Sequence, residues 1–253
     1  MTEKIVLSAD KDVFRIGATV KRPARPWSKS VFRLVRHFET EKLPVEHIIS
    51  VDSDFEVSEY VEGEKVHPNK WTDDALYTIG ELVSQLHKAA RRFPEDKSDI
   101  WQPWCLREIG SRDRICCHGD IAPWNMITQN GYPKMLVDWE YAGVLDPLVE
   151  LARVCWLFPQ LVDDDLQALY DLPSPEKRAN QVRIVCDGYG LSKSEREQLT
   201  EQIIEVIVCE TAHEAIDPAV TFEDAGCLWG FAWRTRSLYW VWRNRGILRK
   251  ALQ

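Results

Sequence analysis

The chain has 253 residues, 45% of them hydrophobic and 28% charged, with 12 Gly and 13 Pro. That composition excludes a disordered tail, a fibre and a small disulfide scaffold, and the length suits one large domain or two lobes around a sizeable core. A formal net charge of −8 argues against general nucleic-acid binding and mildly favours a cationic or metal-chelated partner.

The first residues, MTEKIVLSADKD, form neither a long apolar run nor a small-residue cleavage site, so they do not read as a signal peptide. Lys4–Leu7, Val13–Ile16 and Thr19–Arg22 are short β-compatible runs, separated by the turn-rich Ser8–Asp12 and by Gly17-Ala18. Val31, Leu34, Val35 and Phe38 follow the i, i+3, i+4, i+7 rule and predict a helix capped by Ser28 or Ser30. Two more strands, around His47–Val51 and Phe55–Val61, end at Glu62-Gly63. The period then turns helical. Leu76, Ile79, Val83 and Leu86 mark a helix opened by Thr72, with Asp73 and Asp74 in its first turn, where carboxylates suit the dipole. The expected division is therefore a small lobe over residues 1–63, a sheet with one helix, and a larger helical lobe over 64–253.

The centre of the chain departs from the helical pattern. Arg114–Cys117 is a strand candidate, and its Cys116-Cys117 pair reads as buried wall. The seven Cys include no C-x-x-C, so neither a zinc site nor a disulfide framework is expected. Trp124–Thr128 and Lys134–Val137 flank Gln129-Asn130-Gly131, a strong hairpin signal. Folding that hairpin brings Asn125 within a residue or two of Asp138, with Asp120 one loop earlier. Asp146-Pro147 opens a further helix with Leu148, Leu151 and Cys155 inward, and Asp146 reads as its cap. Ser174-Pro175-Glu176 starts another, expected to stop at Asp187-Gly188, and Ser192–Glu195 is a capping box. The last helix is expected from Phe222 to Lys250. Its Arg and aromatic mixture over residues 233–245 reads as a packed amphipathic helix, with RNA or membrane binding as the minor alternative. No stretch approaches the ~18 apolar residues of a membrane span.

An Asp, an Asn five residues on and a second Asp across a hairpin suit phosphoryl transfer. The first carboxylate can accept a substrate hydroxyl proton, while the Asn carbonyl and second carboxylate are the hard oxygen donors that Mg²⁺ prefers. At these residues a resemblance becomes specific. His118-Gly119-Asp120-Ile121-Ala122-Pro123-Trp124-Asn125 resembles the HGDxxxxN catalytic loop of the aminoglycoside phosphotransferase and choline kinase family. Leu136–Glu140 and Asp146–Ala152 resemble its metal-binding segment and the helix after it, and Leu86-His87 matches a recurrent family pattern. The stretch from Val13 to Ser28 looks like a short-N-lobe branch, some of whose members are labelled phosphotransferases or trifolitoxin immunity proteins.

The resemblance covers most of the chain, is strongest over residues 115–152 and fades after about 190. It implies an α+β, protein-kinase-like bilobal fold with ATP or GTP held between the lobes. It implies Asp120 as base, Asn125 and Asp138 as Mg²⁺ ligands and Glu140 as a secondary acidic group. Lys21 or Arg22 would reach the α/β-phosphates, and Glu59, Tyr60 and Val61 would face adenine as the inter-lobe hinge. The expected activity is a small-molecule kinase acting on a hydroxyl of an aminoglycoside-like molecule, an amino alcohol or another antibiotic or metabolite. The alternative is a kinase-fold binding, immunity or resistance protein without turnover. Two departures bear on the choice. The Ser8–Asp12 turn contains no Gly but carries Asp10 and Asp12, and the glutamate usually paired with the phosphate-binding cation is not evident near Glu39, Glu41 or Val31. Substrate choice would reside in residues 153–253, where Asp163, Asp164, Asp165, Glu205, Glu210, Glu214, Asp217, Glu223 and Asp224 either attract a cationic acceptor or form a solvated acidic surface.

Overall fold

The computed structural model describes residues 4–8, 11–110, 113–163, 171–216 and 228–253. Strands β1 (Lys4–Ser8), β2 (Val13–Ile16), β3 (Thr19–Pro23), β4 (Ile48–Val51) and β5 (Phe55–Glu59) form one antiparallel sheet in the order β1-β2-β3-β5-β4. Helix α1 (Ser28–Thr40) buries Val31, Leu34, Val35 and Phe38, the four positions its period selects. Its N-cap is Trp27 rather than either serine; Ser28 instead accepts a bond from the Arg25 backbone, closing the turn that precedes the helix.

Helix α2 (Asp73–Ala90) begins with the Thr72 hydroxyl accepting from the Ala75 N–H. Two short pairings then carry the centre of the chain. Strand β6 (Ile115–Cys117) pairs with β9 (Gly143–Leu145), and β7 (Met126–Gln129) pairs with β8 (Tyr132–Leu136). Asn130 and Gly131 both adopt positive φ between β7 and β8, as the Asn-Gly signal requires. Helix α3 (Pro147–Leu157) is capped by Asp146, which accepts from the Leu148 N–H at 2.8 Å. Helices α4 (Pro175–Tyr189), α5 (Lys193–Ile216) and α6 (Leu228–Ala251) complete a bilobal α+β fold. The capping box is present, with the Ser192 N–H on Glu195 at 3.0 Å and the Glu195 N–H on Ser192 at 3.4 Å. Residue 222, the expected start of α6, lies outside the described residues.

Helix α4 runs past the expected stop at Gly188 and ends with Gly190 in the left-handed region at φ 77°. Gly188 has another task. A Cβ there would lie 2.1 Å from the Tyr77 carbonyl oxygen of α2, and a Cβ on Gly80 would lie 2.2 Å from the Val185 carbonyl oxygen of α4. The two helices thus meet backbone to backbone. Gly80→Ala is expected to force them apart and destabilise the protein by about 1–3 kcal/mol despite Ala's better helix propensity. Chemical denaturation checks the sign; a stabilised variant would mean that the helices can separate freely.

Candidate functional site

A cleft of about 530 Å³ separates the sheet from the segment that follows β8. Val20 and Arg22 line it from β3, Tyr60 and Val61 from the inter-lobe strand end, and Asp138 and Glu140 from the opposite wall. Side chains alternate along a strand, so of the two adjacent cations only one can face the cleft. It is Arg22; the Lys21 ammonium lies over the Phe55 ring, 5.7 Å from its centroid. The expectation for Lys21 is corrected accordingly.

Arg22 gathers three carboxylates, with Glu46 at 2.7 Å, Glu56 at 3.4 Å and Asp138 at 3.6 Å. Burial works against its charge, but these carboxylates more than offset it and drive its pKa upward. Burial also pushes the Glu56 carboxyl up, against the pull of Arg22. The glutamate sought near α1 is thus supplied from elsewhere. Glu39 pairs with Arg36 and His47, and Glu41 with Arg92, whereas Glu46 sits on a segment that runs along the end of β8. The Glu46 N–H donates to the Leu136 carbonyl and the Leu136 N–H to the Pro44 carbonyl, each at 2.9 Å. That pairing lets one carboxylate hold Arg22 while also accepting the Asp138 N–H at 3.2 Å. Asp138 sits at φ 65°, a strained conformation for a non-glycine residue that this contact helps to hold.

The loop from His118 to Asn125 is fixed from several sides. His118 makes a 3.1 Å hydrogen bond to the Val137 carbonyl through Nε2, while Nδ1 accepts from the Asp120 N–H at 3.1 Å. Burial pushes this imidazole's pKa down, which suits a neutral ring that braces the loop. Gly119 has φ 82°, and a Cβ there would lie 2.2 Å from the Tyr141 carbonyl oxygen. Asn125 Nδ2 donates to the Asp120 carbonyl at 3.0 Å and to its carboxylate at 2.8 Å. The Val137 N–H donates to the Asn125 carbonyl at 3.0 Å, joining the loop to the strand that leads into Asp138.

Two buried residues support this arrangement: Arg153, which no motif singles out, and Glu150, which lies within the Asp146–Ala152 segment. Arg153 of α3 contacts Asp120 at 2.6 Å and Glu210 of α5 at 2.5 Å, and donates to the Ile121 carbonyl at 3.1 Å. Glu150 accepts the Gly119 N–H at 2.5 Å and pairs with His87 at 2.8 Å, and His87 reaches the Tyr189 hydroxyl at 2.9 Å. His87, Cys117 and Glu150 lie close enough together to suggest a metal cluster. The hydrogen bonds argue otherwise, since both ring nitrogens and both carboxylate oxygens are engaged. Burial also drives the Cys117 thiol well above its ordinary value. This is a brace.

At the hinge, the Glu59 N–H donates to the His47 carbonyl at 2.9 Å and the Tyr60 N–H to the Ala18 carbonyl at 2.8 Å. An adenine edge would have to use other backbone groups of Glu59–Val61. Across the cleft mouth, the Lys11 ammonium of the β1–β2 turn contacts Glu140 at 2.6 Å. Asp10 lies outside the described residues. In the helical lobe, Glu210 and Glu214 face Arg153 and Arg234, and Asp163 faces Arg243 at 3.4 Å, so these acids are already matched by cations. Glu205 is exposed; Asp164, Asp165, Asp217, Glu223 and Asp224 lie outside the described residues. Trp139 is core, packed on Phe38 and His118, whereas Trp124 is half-buried beside His67 and Trp233.

The fold has many solved counterparts. A microcompartment-associated aminopropanol kinase superposes with a TM-score of 0.62 at 12% identity, covering 96% of this chain and 90% of its own. The macrolide 2'-phosphotransferase MphH of Brachybacterium faecium gives 0.58 at 14% identity, covering 95% and 92%. Residues 101–179 match the sequence profile of the phosphotransferase enzyme family. The trifolitoxin immunity protein of Rhizobium leguminosarum bv. trifolii is 38% identical over 246 residues, 95% of this chain and 94% of that protein. The chain belongs to the family of the trifolitoxin immunity protein and has the protein-kinase-like fold of the aminoglycoside phosphotransferases and choline kinases. In this chain Arg153 supports the Asp120–Asn125 contact and Glu46 supports the Asp138 turn. No helix among the described residues is long and apolar enough to cross a membrane.

Proposed function

We propose that the protein is a cytoplasmic immunity or resistance protein, protecting against a small toxic molecule by means of a phosphotransferase-type cleft. The observation that carries this reading is the similarity, along nearly the whole chain, to a protein named for immunity to trifolitoxin. The charges are in keeping with a binding role, because Lys11 and Arg22 of the cleft, and Asp120 of the His118–Asn125 loop, each already face a partner from within the chain. The boundary between the lobes is taken at Gly63.

A second reading is Mg²⁺-dependent transfer of the γ-phosphoryl group of ATP or GTP to a hydroxyl of the toxic molecule or of another small metabolite. The joined Asp120 and Asn125 favour it. Asn125 uses its Nδ2 on Asp120, which leaves Oδ1 as its acceptor, and Asp138 offers a partly exposed carboxylate; these hard oxygens fit Mg²⁺. Bound there, the ion would offset phosphate charge, with Glu140 as a further acidic group. In the transfer the acceptor oxygen forms the new P–O bond, the bond from the γ-phosphorus to the β–γ bridging oxygen breaks, and Asp120 takes the hydroxyl proton. Arg22 then faces the phosphates and the Glu59–Val61 segment the base.

One experiment separates the readings. Cells producing wild type or Asp120→Ala are challenged with trifolitoxin, aminoglycosides, amino alcohols and other hydroxylated antibiotics, and phosphorylated products are sought by mass spectrometry. Under the immunity reading, protection survives Asp120→Ala and no phosphorylated product forms. Under the transfer reading, product formation falls by about 10²–10⁴ in the variant and protection falls with it.

A further inference from the structure

The β1–β2 turn lacks the glycines that would let backbone N–H groups wrap a phosphate, yet it overhangs the cleft: Leu7, Ser8, Lys11 and Val13 line its upper wall. Asp12 at φ 52° closes the turn. The turn's one cation, Lys11, reaches across the opening to Glu140, on the side that carries Asp138.

The two cations that line this part of the cleft differ in freedom. Arg22 is 21% exposed and held by three carboxylates from three separate segments, so its guanidinium cannot leave without stranding them. Lys11 is 51% exposed and holds a single carboxylate. Such a pair is worth little in water, and the four-carbon stem lets the ammonium change partner at small cost. A polyphosphate entering the cleft presents more negative charge than the one carboxylate it would displace.

We propose that Lys11 grips the phosphates of a bound nucleoside polyphosphate, exchanging Glu140 for them, so that a side chain does here what a glycine-rich turn would do with its backbone. This rests on the nucleotide reading of the cleft given above. Glu140, released from Lys11, is then available to the metal side of the site.

Calorimetric titration of wild type, Lys11→Ala and Lys11→Arg with Mg-ATP and with adenosine tests the assignment. Lys11→Ala is expected to weaken Mg-ATP about tenfold, the loss of one charge-assisted contact, while adenosine affinity stays within about twofold. Lys11→Arg should recover most of the Mg-ATP affinity. Equal Mg-ATP affinity in wild type and Lys11→Ala overturns the assignment and leaves the nucleotide reading standing. Equal losses for adenosine and Mg-ATP overturn it as well, because the residue would then shape the cleft rather than hold phosphate. A wild type that binds neither ligand at millimolar concentration removes the nucleotide reading, and this assignment with it.

Discussion

Replacing Arg153 by Met is expected to destabilise the protein by about 3–5 kcal/mol, the usual cost of removing one partner from a buried ion pair. For a chain of this length that corresponds to a melting temperature lower by roughly 6–20 °C. The reason is what the arginine leaves behind. Asp120 loses its 2.6 Å partner, and Glu210, only 2% exposed, loses its 2.5 Å partner. Arg234 lies 3.9 Å from Glu210, too far to replace the hydrogen bond without moving. Adding Glu210→Leu should return part of the loss, because one of the two stranded carboxylates is then gone. Thermal denaturation of the two single variants and the double variant provides the test. Strictly additive effects would show that the buried pair is not the source of the cost.

Glu150→Gln is expected to cost about 2–4 kcal/mol, more than an ordinary core hydrogen bond, since a buried charged acceptor serves two donors at once. The carboxylate takes the Gly119 N–H on one oxygen and His87 Nε2–H on the other, while His87 Nδ1 accepts from the Tyr189 hydroxyl. That assignment gives every member of the network a partner. A glutamine offers one oxygen and one NH₂, so either Gly119 or His87 faces a donor. The pH dependence has a definite sign. Burial acts to raise the Glu150 pKa, but the hydrogen bond and charge of His87, the charge of His118 and the Gly119 N–H outweigh it and hold it below the ordinary carboxylate value. A depressed folded-state pKa contributes stability that is fully present above the unfolded value of about 4.3 and is lost as pH falls through the lower folded value. Wild type should therefore lose stability across that acid window more steeply than Glu150→Gln. Urea denaturation between about pH 2.5 and 6 measures the difference, and parallel curves would show that Glu150 titrates alike in both states.

What the sequence discloses and what it conceals differ for a physical reason. Signals confined to a few neighbouring residues came through: the Asn130-Gly131 turn, the Asp146 and Thr72 caps, the Ser192–Glu195 box and the four buried positions of α1. The Asp120 and Asn125 pairing was legible because both lie in one short loop with a recognisable pattern. Glu46 was not. It belongs to no periodic element, and its partners lie 24 and 92 residues away. Arg153 reads locally as an ordinary helix residue, and only the packing of α3 against α5 reveals it as a buried charge. The stop of α4 was misplaced by two residues because Gly188 looks like a terminator, although its lack of a side chain serves a contact with another helix.

That contact has a consequence for how this scaffold can diverge. Gly80 and Gly188 each sit against a carbonyl of the facing helix, so α2 and α4 cannot slide or rotate past one another without a backbone clash. Tyr189 follows Gly188 directly, and through His87 and Glu150 the crossing point sets the height of the Gly119 loop. Inherited change in what the protein recognises is therefore channelled away from this crossing and into surfaces that can be rebuilt without resetting it, such as the outer faces of α5 and α6. A graft of the α5–α6 region from a relative should be tolerated only by a recipient that keeps both glycines.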